Sequence, residues 1–228
     1  MTIRSAIYSH VGRRRSRQED AAAATRRTFV VADGMGGHAG GDIASDIVAH
    51  AFADDRIDFQ RATCEAILAI QRHISDTDLM YMSMGSTVVA LRLSPDATAA
   101  EVFHVGDSRC YRLRDDQLAC VTRDHTIARN MLDADVDPDR IPDGAHHTLT
   151  QAISCAAGDV GETTIIDIAA GDVLLLCSDG LTDELDDATI AATLGEHRTD
   201  PATAAAALVD AAVDAGGRDN ITTIVIAA

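Results

Sequence analysis

The chain contains no lysine and no tryptophan, so its 19 basic residues are all arginine, against 36 aspartates and glutamates and a formal net charge of −17. This excess of negative charge disfavours binding to nucleic acid or to anionic lipid. No stretch approaches the roughly 18 apolar residues of a membrane span, and the N-terminal MTIRSAIYSHVGRRR lacks the apolar core of a signal peptide. We therefore expect a cytoplasmic protein with neither nucleic-acid nor membrane partners.

The five cysteines show no C-x-x-C pair and no histidine partner nearby in sequence. This spacing predicts neither a zinc site nor a disulfide framework. None of them is followed by an arginine six positions later, which argues against a cysteine-phosphate mechanism. We expect reduced and mostly buried thiols.

The pattern of apolar residues predicts a single domain over residues 1–228, built from closely spaced strands and from helices in pairs. Strands are predicted at 2–9, 27–33, 86–93, 100–106, 108–115, 117–122, 163–170, 172–179 and 221–227. Helices are predicted at 42–53, around 66–74, at 126–133, near 188–194 and from 201 to about 215, where proline opens the helix and glycines follow it. The pattern favours stacked antiparallel sheets covered by helices, and it predicts a flap at about 124–147, where proline and aspartate are frequent.

Three aspartates flank apolar runs: Asp33 follows FVVA, Asp179 follows LLLCS and Asp219 precedes ITTIVIA. Because a strand holds its end residue rigidly, converging strand ends can present several carboxylates to one point. Mg²⁺ and Mn²⁺ prefer oxygen ligands of this kind. One such aspartate is more often a turn residue, but three together favour a metal site.

These aspartates belong to a longer series of motifs: SHVGRRRSRQEDAA, FVVADGMGGHAGGDIAS, MGSTVVALRL, FHVGDSRCYRL, VTRDHT, LTQAIS, LLLCSDGLTDEL and GRDNITTIVIA. From about residue 5 to the C-terminus the chain resembles the metal-dependent protein phosphatases of type 2C, in their compact bacterial form. The resemblance implies an α+β fold in which a β-sandwich of two mainly antiparallel sheets is flanked by helices on both outer faces. It also implies hydrolysis of phosphoserine and phosphothreonine by a water that bridges two Mn²⁺ or Mg²⁺ ions in a cleft at one end of the sandwich.

The resemblance assigns the firmest metal ligands to the three strand-end aspartates. Asp33 is expected to bridge the two ions, and the carbonyl of Gly34 to add a ligand, since a glycine lets the backbone approach an ion closely. Asp179 and Asp219 are expected to complete the shell of the first ion.

Further ligands are implied for the second ion and for a third. Glu19 and its neighbour Asp20 match the carboxylates that hold the second ion, directly or through water. Asp124, in VTRDHT, matches the position of a third, weaker ion, with an ordinary turn aspartate as the alternative.

Two residues are assigned to the substrate. Arg15 matches the arginine that grips the phosphate, for which a guanidinium fork is well shaped. The leaving alkoxide needs a proton, and His38, beside the metals in sequence, is the candidate general acid. A hydrogen-bonded loop histidine is the alternative for His38, and His125 is a weaker candidate acid.

Two other motif matches are weaker. Residues 34–39 spell the dinucleotide-binding pattern G-x-G-x-x-A, but Asp33 would place a negative charge beside the pyrophosphate and the strands do not alternate with helices. Aspartates at every second position over 133–137 suggest an EF-hand, yet Pro138 stands where that loop requires glycine.

A non-enzymatic alternative remains at this point: a pseudophosphatase that keeps the fold and binds a partner. The intact candidate ligands argue against it. If the chain is an enzyme, the expected partners are phosphoproteins, including a cognate kinase or its targets, and the expected state is a monomer. The sequence does not choose between Mn²⁺ and Mg²⁺, because both accept the same oxygen ligands.

Overall fold

A computed structural model describes residues 2–36 and 40–228. The strands in these ranges are β1 (Arg4–His10), β2 (Asp20–Ala24), β3 (Thr28–Met35), β4 (Gly85–Ser86), β5 (Val88–Leu93), β6 (Ala99–Val105), β7 (Arg109–Arg114), β8 (Gln117–Cys120), β9 (Ile153–Ser154), β10 (Glu162–Asp167), β11 (Val173–Cys177) and β12 (Ile221–Ala227). The helices are α1 (Gly41–Phe52), α2 (Phe59–Asp76), α3 (Ile127–Asp133), α4 (Asp143–His146), α5 (Asp179–Thr182), α6 (Asp187–Glu196) and α7 (Pro201–Ala215).

The strands form two sheets whose pairs are antiparallel. One sheet has the order β1-β12-β11-β7-β8, and the other has the order β10-β6-β5-β3-β4-β9, with β2 paired to β3. Helices α1 and α2 pack on the second sheet, and α6 and α7 pack on the first. The predicted α+β sandwich with helices on both outer faces is confirmed.

The core has three apolar layers. The middle layer lies between the two sheets and consists of side chains such as Phe29, Leu91, Leu174 and Ile224. The two outer layers fill the space between each sheet and its helices. Because β12 has an apolar layer on both faces, its seven residues are all buried, which explains why the sequence ITTIVIA contains no charged residue.

Helix α7 shows how local sequence sets an element's bounds. Pro201 occupies its first position, where a missing N–H costs nothing, and the Asp200 carboxylate accepts hydrogen bonds from the N–H groups of Ala202 and Thr203. The helix ends at Ala215, as the sequence predicted.

The segment predicted as a flap contains more regular structure than expected. Helix α3 confirms the short helix predicted at 126–133, but a 3₁₀ turn at Pro138–Arg140 and α4 follow it, where an irregular loop was predicted. The Asp137 carboxylate caps the turn, and Ile141 and Ala145 pack against Ala128 of α3 in a small apolar cluster. These contacts order the segment despite its many aspartates.

Within the described ranges, each helix is either too short or too polar to cross a membrane.

Candidate metal centre

A cleft of about 1270 Å³ opens at the end of the sandwich where β3, β6 and β11 finish. Its lining contains acidic side chains from six separate parts of the chain: Glu19, Asp33, Asp107, Asp124, Asp179 with Asp183, and Asp219. Because β11 and β12 are antiparallel neighbours, the end of one lies beside the start of the other, and this brings Asp179 and Asp219 together. The predicted convergence of Asp33, Asp179 and Asp219 on one cleft is therefore present.

Asp33 and Asp20 face each other across two paired strands. Asp33 stands within β3 rather than at its end, which corrects the strand-end placement, and it is the direct partner of Asp20 in β2. Asp20 is buried, and its Oδ2 accepts a hydrogen bond of 2.8 Å from the hydroxyl of Ser178. Asp20 thus lies beneath the floor of the cleft, while Asp33 forms part of that floor.

Burial and mutual repulsion strongly perturb these carboxyl groups. Burial, followed by the charges of Asp20 and Asp179, raises the pKa of Asp33 well above its usual value. Burial raises the pKa of Asp20 to about 7 and the pKa of Asp179 to about 6. The Asp33 and Asp179 carboxyls are close enough to share a proton. Such a cluster is electrostatically unfavourable without protons or cations to neutralise it.

Glu19, a predicted ligand of the second ion, lies close to the Gly34 carbonyl, which was also predicted to be a metal ligand. A Cβ on Gly41, the first residue of α1, would stand 3.0 Å from Glu19 Oε1 and 3.1 Å from the Gly34 carbonyl oxygen, so both oxygens face the same small space. Gly34 itself has no room for a side chain, since its Cβ would lie 2.0 Å from the Gly41 carbonyl oxygen. Glycine is required at position 34 for this close packing.

The donor set fits divalent cations that prefer oxygen. Asp20 Oδ1 and Asp179 Oδ1 are buried without a hydrogen-bond partner, and an unpaired buried carboxylate oxygen is costly unless a cation or proton meets it. Carboxylates and a backbone carbonyl are the ligands expected for Mg²⁺ or Mn²⁺. Asp33, Gly34, Asp179, Asp219 and Glu19 are placed where they could hold such ions.

Arg15 reaches the same cleft from the loop between β1 and β2. Its Nη2 lies 2.6 Å from Asp219 Oδ2, and its Nη1 lies 3.9 Å from Glu19 Oε2. About half of the side chain is exposed, so the guanidinium is available to a ligand that enters the cleft. Arg15 thus lies in the cleft beside the predicted metal ligands, and its role in binding phosphate stays a prediction.

Asp124 lines the cleft but is already engaged. The Arg109 guanidinium binds it bidentately, with Nε–Oδ1 at 2.8 Å and Nη2–Oδ2 at 2.6 Å, and also donates to the Tyr111 hydroxyl. Each carboxylate oxygen keeps a second lone pair, so an ion bound there would share Asp124 with Arg109. The role of Asp124 as a ligand of a third ion stays a prediction.

His38, the candidate general acid, lies outside the described residues. His125, the weaker candidate, is buried, and its Nδ1 accepts a hydrogen bond from the N–H of Gly106 at 3.2 Å. This places the proton of the neutral ring on Nε2, which lies 3.6 Å from Glu162 Oε1. Burial and the neighbouring His104 lower the pKa of His125.

His104, His125 and Glu162 have ligand atoms within 4.8 Å of one another. The two imidazole rings are stacked, however, with centroids 4.6 Å apart and planes inclined by 18°. In nearly parallel rings, in-plane lone pairs point side by side and do not converge on one ion. His104 Nε2 lies 2.7 Å from the Arg123 carbonyl oxygen, and His125 Nδ1 accepts the Gly106 N–H, so the two rings join β6 and the turn after it to the segment that follows β8.

Sequence reasoning assigned no role to three residues that line the cleft, namely Asp107, Asp183 and His147. Asp107 is buried in the cleft wall, and burial followed by the charge of Asp179 raises its pKa to about 8. Asp183 and His147 have ligand atoms within 4.8 Å of Asp179. The i,i+4 spacing of Asp179 and Asp183 was the available signal for Asp183, whereas the isolated His147 gave none.

The sequence profile of the family described as protein phosphatase 2C matches residues 8–212, and the chain belongs to this family. The serine/threonine protein phosphatase PstP of Mycobacterium tuberculosis is 34% identical over 241 residues, which cover 99% of this chain and 45% of PstP. The chain thus spans less than half the length of that relative. Protein phosphatase PhpP of Streptococcus pneumoniae is 30% identical over 239 residues, which cover 96% of this chain and 95% of PhpP.

Solved structures agree with this membership. The crystal structure of the M. tuberculosis serine/threonine phosphatase PstP/Ppp superposes with a TM-score of 0.88 at 31% identity, covering 100% of this chain and 99% of that one. A structure of the PstP catalytic domain in complex with two manganese ions superposes with a TM-score of 0.87 at 32% identity, covering 99% and 97% of the two chains.

Proposed function

We propose that this chain is a metal-dependent protein phosphatase that hydrolyses phosphoserine and phosphothreonine with Mn²⁺ or Mg²⁺ as cofactor. The observation that carries the proposal is the convergence of buried and half-buried carboxylates with raised pKa values on one cleft, beside a half-exposed arginine. The manganese-bound PstP domain and the phosphatase names of the relatives support it. They favour an enzyme over a pseudophosphatase.

The cleft residues divide the work of the reaction. When bound, two divalent cations supply Lewis-acid stabilisation of the phosphoryl oxygens and a water of lowered pKa. Asp33, Asp179, Asp219, Glu19 and the Gly34 carbonyl would hold these ions in the cleft. The Arg15 guanidinium orients the phosphate by two parallel N–H···O hydrogen bonds, and His38 remains our proposed donor of the proton to the departing serine or threonine oxygen.

The domain organisation, the flap, the partners and the location of the chain are proposed on the same basis. Residues 1–228 form one catalytic domain, and the segment 124–147 acts as a flap over the cleft, since Arg129 and Leu132 of α3 line it. The partners are phosphoproteins, including a cognate kinase or its targets, and the chain acts as a monomer in the cytoplasm. Asp20 helps to bind the second ion, and Asp124 helps to bind a third.

One assay separates the enzyme from a pseudophosphatase. Purified protein with Mn²⁺ is expected to hydrolyse both p-nitrophenyl phosphate and a phosphothreonine peptide, and a chelator is expected to stop both reactions. If calorimetry shows bound metal but neither substrate turns over, the enzymatic proposal fails. Hydrolysis of p-nitrophenyl phosphate alone, with phosphoserine and phosphothreonine peptides untouched, would contradict the assignment of proteins as substrates.

Replacing Arg15 by alanine is expected to raise KM for a phosphothreonine peptide by about 10- to 100-fold, with a smaller change in kcat. Hydrogen bonds to a charged group contribute about 1.5–3 kcal/mol, and Arg15 holds the phosphate in both the ground and transition states. Steady-state kinetics measure the effect. The matched control is Arg61→Ala on α2, which removes an exposed arginine paired with Glu65. An unchanged KM in Arg15→Ala would contradict the phosphate-binding role.

A further inference from the structure

Asn220 stands between Asp219 and the first residue of β12, and it is only 3% exposed. Its side chain bonds to the loop between β1 and β2, which carries Arg15 and Glu19. The amide oxygen Oδ1 accepts a hydrogen bond of 2.7 Å from the backbone N–H of Glu19. The amide nitrogen Nδ2 donates to two carbonyl oxygens, that of Val11 at 2.9 Å and that of Arg17 at 3.0 Å.

Through these three hydrogen bonds the Asn220 side chain closes the loop between β1 and β2, and we call this arrangement the clasp. Val11 and Arg17 lie on either side of Arg15, and the two hydrogens of a single NH₂ group join their carbonyls. The orientation of the amide is unambiguous, because the reversed amide would turn its oxygen toward two carbonyl oxygens and its NH₂ toward an N–H. An aspartate of the same size accepts the bond from Glu19 but cannot donate to either carbonyl.

The clasp fixes Arg15 relative to the carboxylates. Asn220 follows Asp219 directly, and its own backbone N–H donates to Asp219 Oδ1 at 2.7 Å. Arg15 meets the other oxygen of the same carboxylate, Oδ2, at 2.6 Å. Asn220, which closes the loop, is thus hydrogen-bonded to Asp219, which Arg15 in the same loop contacts.

A separate anchor holds the start of the loop. The N–H of Arg13 donates to the Gly217 carbonyl at 2.6 Å. Gly12, at φ +80°, packs so closely that a Cβ there would lie 2.2 Å from the Asp219 carbonyl oxygen. Loss of the Asn220 bonds therefore leaves one end of the loop attached, so we expect a local change around Arg15 rather than global unfolding.

We propose that Asn220 is a positioning residue for phosphate binding, which acts by closing the loop that presents Arg15 to the cleft. This inference rests on the proposed function. By holding the loop, the buried amide keeps the long Arg15 side chain aligned with the carboxylates, which lowers the entropic cost of ordering it when phosphate binds.

A double-mutant cycle tests the inference. Asn220→Asp is expected to raise KM for a phosphothreonine peptide by about tenfold, as expected for lost hydrogen bonds to two buried carbonyls, with a smaller effect on kcat. In the Arg15→Ala background the same change is expected to alter kcat/KM less than about twofold, because residues that act through one another are not additive. Gln60→Glu, which makes the same amide-to-carboxylate change at an exposed position of α2, is the matched control.

Several outcomes would overturn the inference. An equal loss from Asn220→Asp with and without Arg15 would show a general structural role, and no loss with Arg15 present would show that the clasp is unnecessary. Hydrogen exchange on the wild-type protein gives a readout that requires no turnover: the Glu19 amide is expected to be protected as strongly as the amides of β12. Fast exchange at Glu19 would also refute the clasp. An inactive wild-type protein would refute the proposed function instead, and the exchange result would stand apart from it.

Discussion

Asp179→Asn is expected to lower kcat/KM by more than about 100-fold while making the metal-free protein more stable at pH 8. Loss of a group that only orients a metal ligand costs about 10- to 100-fold, and loss of a direct ligand should cost more. Stability should rise because a neutral amide removes one of several buried, mutually repelling charges and can donate a hydrogen bond to Asp33.

Two measurements check this prediction. Turnover of p-nitrophenyl phosphate with saturating Mn²⁺ measures the loss of activity, and thermal unfolding with a chelator measures the gain in stability of the metal-free protein. Asp210→Asn, an exposed change of the same chemistry on α7, serves as the control. A variant that retains both turnover and stabilisation by Mn²⁺ would show that Asp179 is not a ligand.

The metal-free protein is expected to lose stability as the pH rises from about 4 to about 8. The pKa of Asp179 is raised to about 6, that of Asp20 to about 7 and that of Asp107 to about 8, from an ordinary value of 3.8. Below pH 3.8 these groups are protonated in both states. Above it the unfolded chain releases protons that the folded chain retains, so the free energy of unfolding falls by up to about 1.4 kcal/mol per pH unit for each retained proton.

Two other kinds of titratable group affect the pH dependence of stability in a different way. The lowered pKa of His125 opposes this trend near pH 6.5, but it concerns one proton against at least three. Surface carboxylates whose pKa is lowered, such as Asp167 beside Arg114, add stability that is lost only below about pH 4.

Urea unfolding with a chelator at pH 5 and pH 8 measures the trend, and the same pair of experiments with Mn²⁺ measures its reversal. Mn²⁺ is expected to restore stability at pH 8, because a cation that binds only the folded state stabilises it and competes with protons for the same oxygens. A metal-free protein that is equally stable or more stable at pH 8 would contradict the account of a repelling carboxylate cluster.

The fold was largely predictable because apolar periodicity and turn residues carry it. Helix α7 has the predicted bounds, and the closely spaced strands pair antiparallel as expected. Strand β2 was missed because its sequence, DAAAA, has low strand propensity. It forms because it pairs with β3 and its alanines pack against a neighbouring helix or sheet.

The site residues that belong to recognisable sequence motifs were predictable. Asp33, Asp179, Asp219, Glu19 and Arg15 do meet in one cleft. What sequence could not supply was pairing between distant segments: the bidentate Arg109–Asp124 contact and the placement of Asp20 beneath the cleft floor depend on tertiary structure alone. The clasp formed by Asn220 is of the same kind, since it joins residues about two hundred positions apart.

Anomalous X-ray diffraction from crystals grown with Mn²⁺ tests the central claim most directly. We predict two adjacent manganese peaks in the cleft, with the Asp33 carboxylate between them, Asp179 and Asp219 on one ion, and the Gly34 carbonyl on the other. Peaks found only away from these oxygens, or an absence of peaks with protein that hydrolyses phosphothreonine under the same conditions, would contradict the assignment of this cluster as the metal centre.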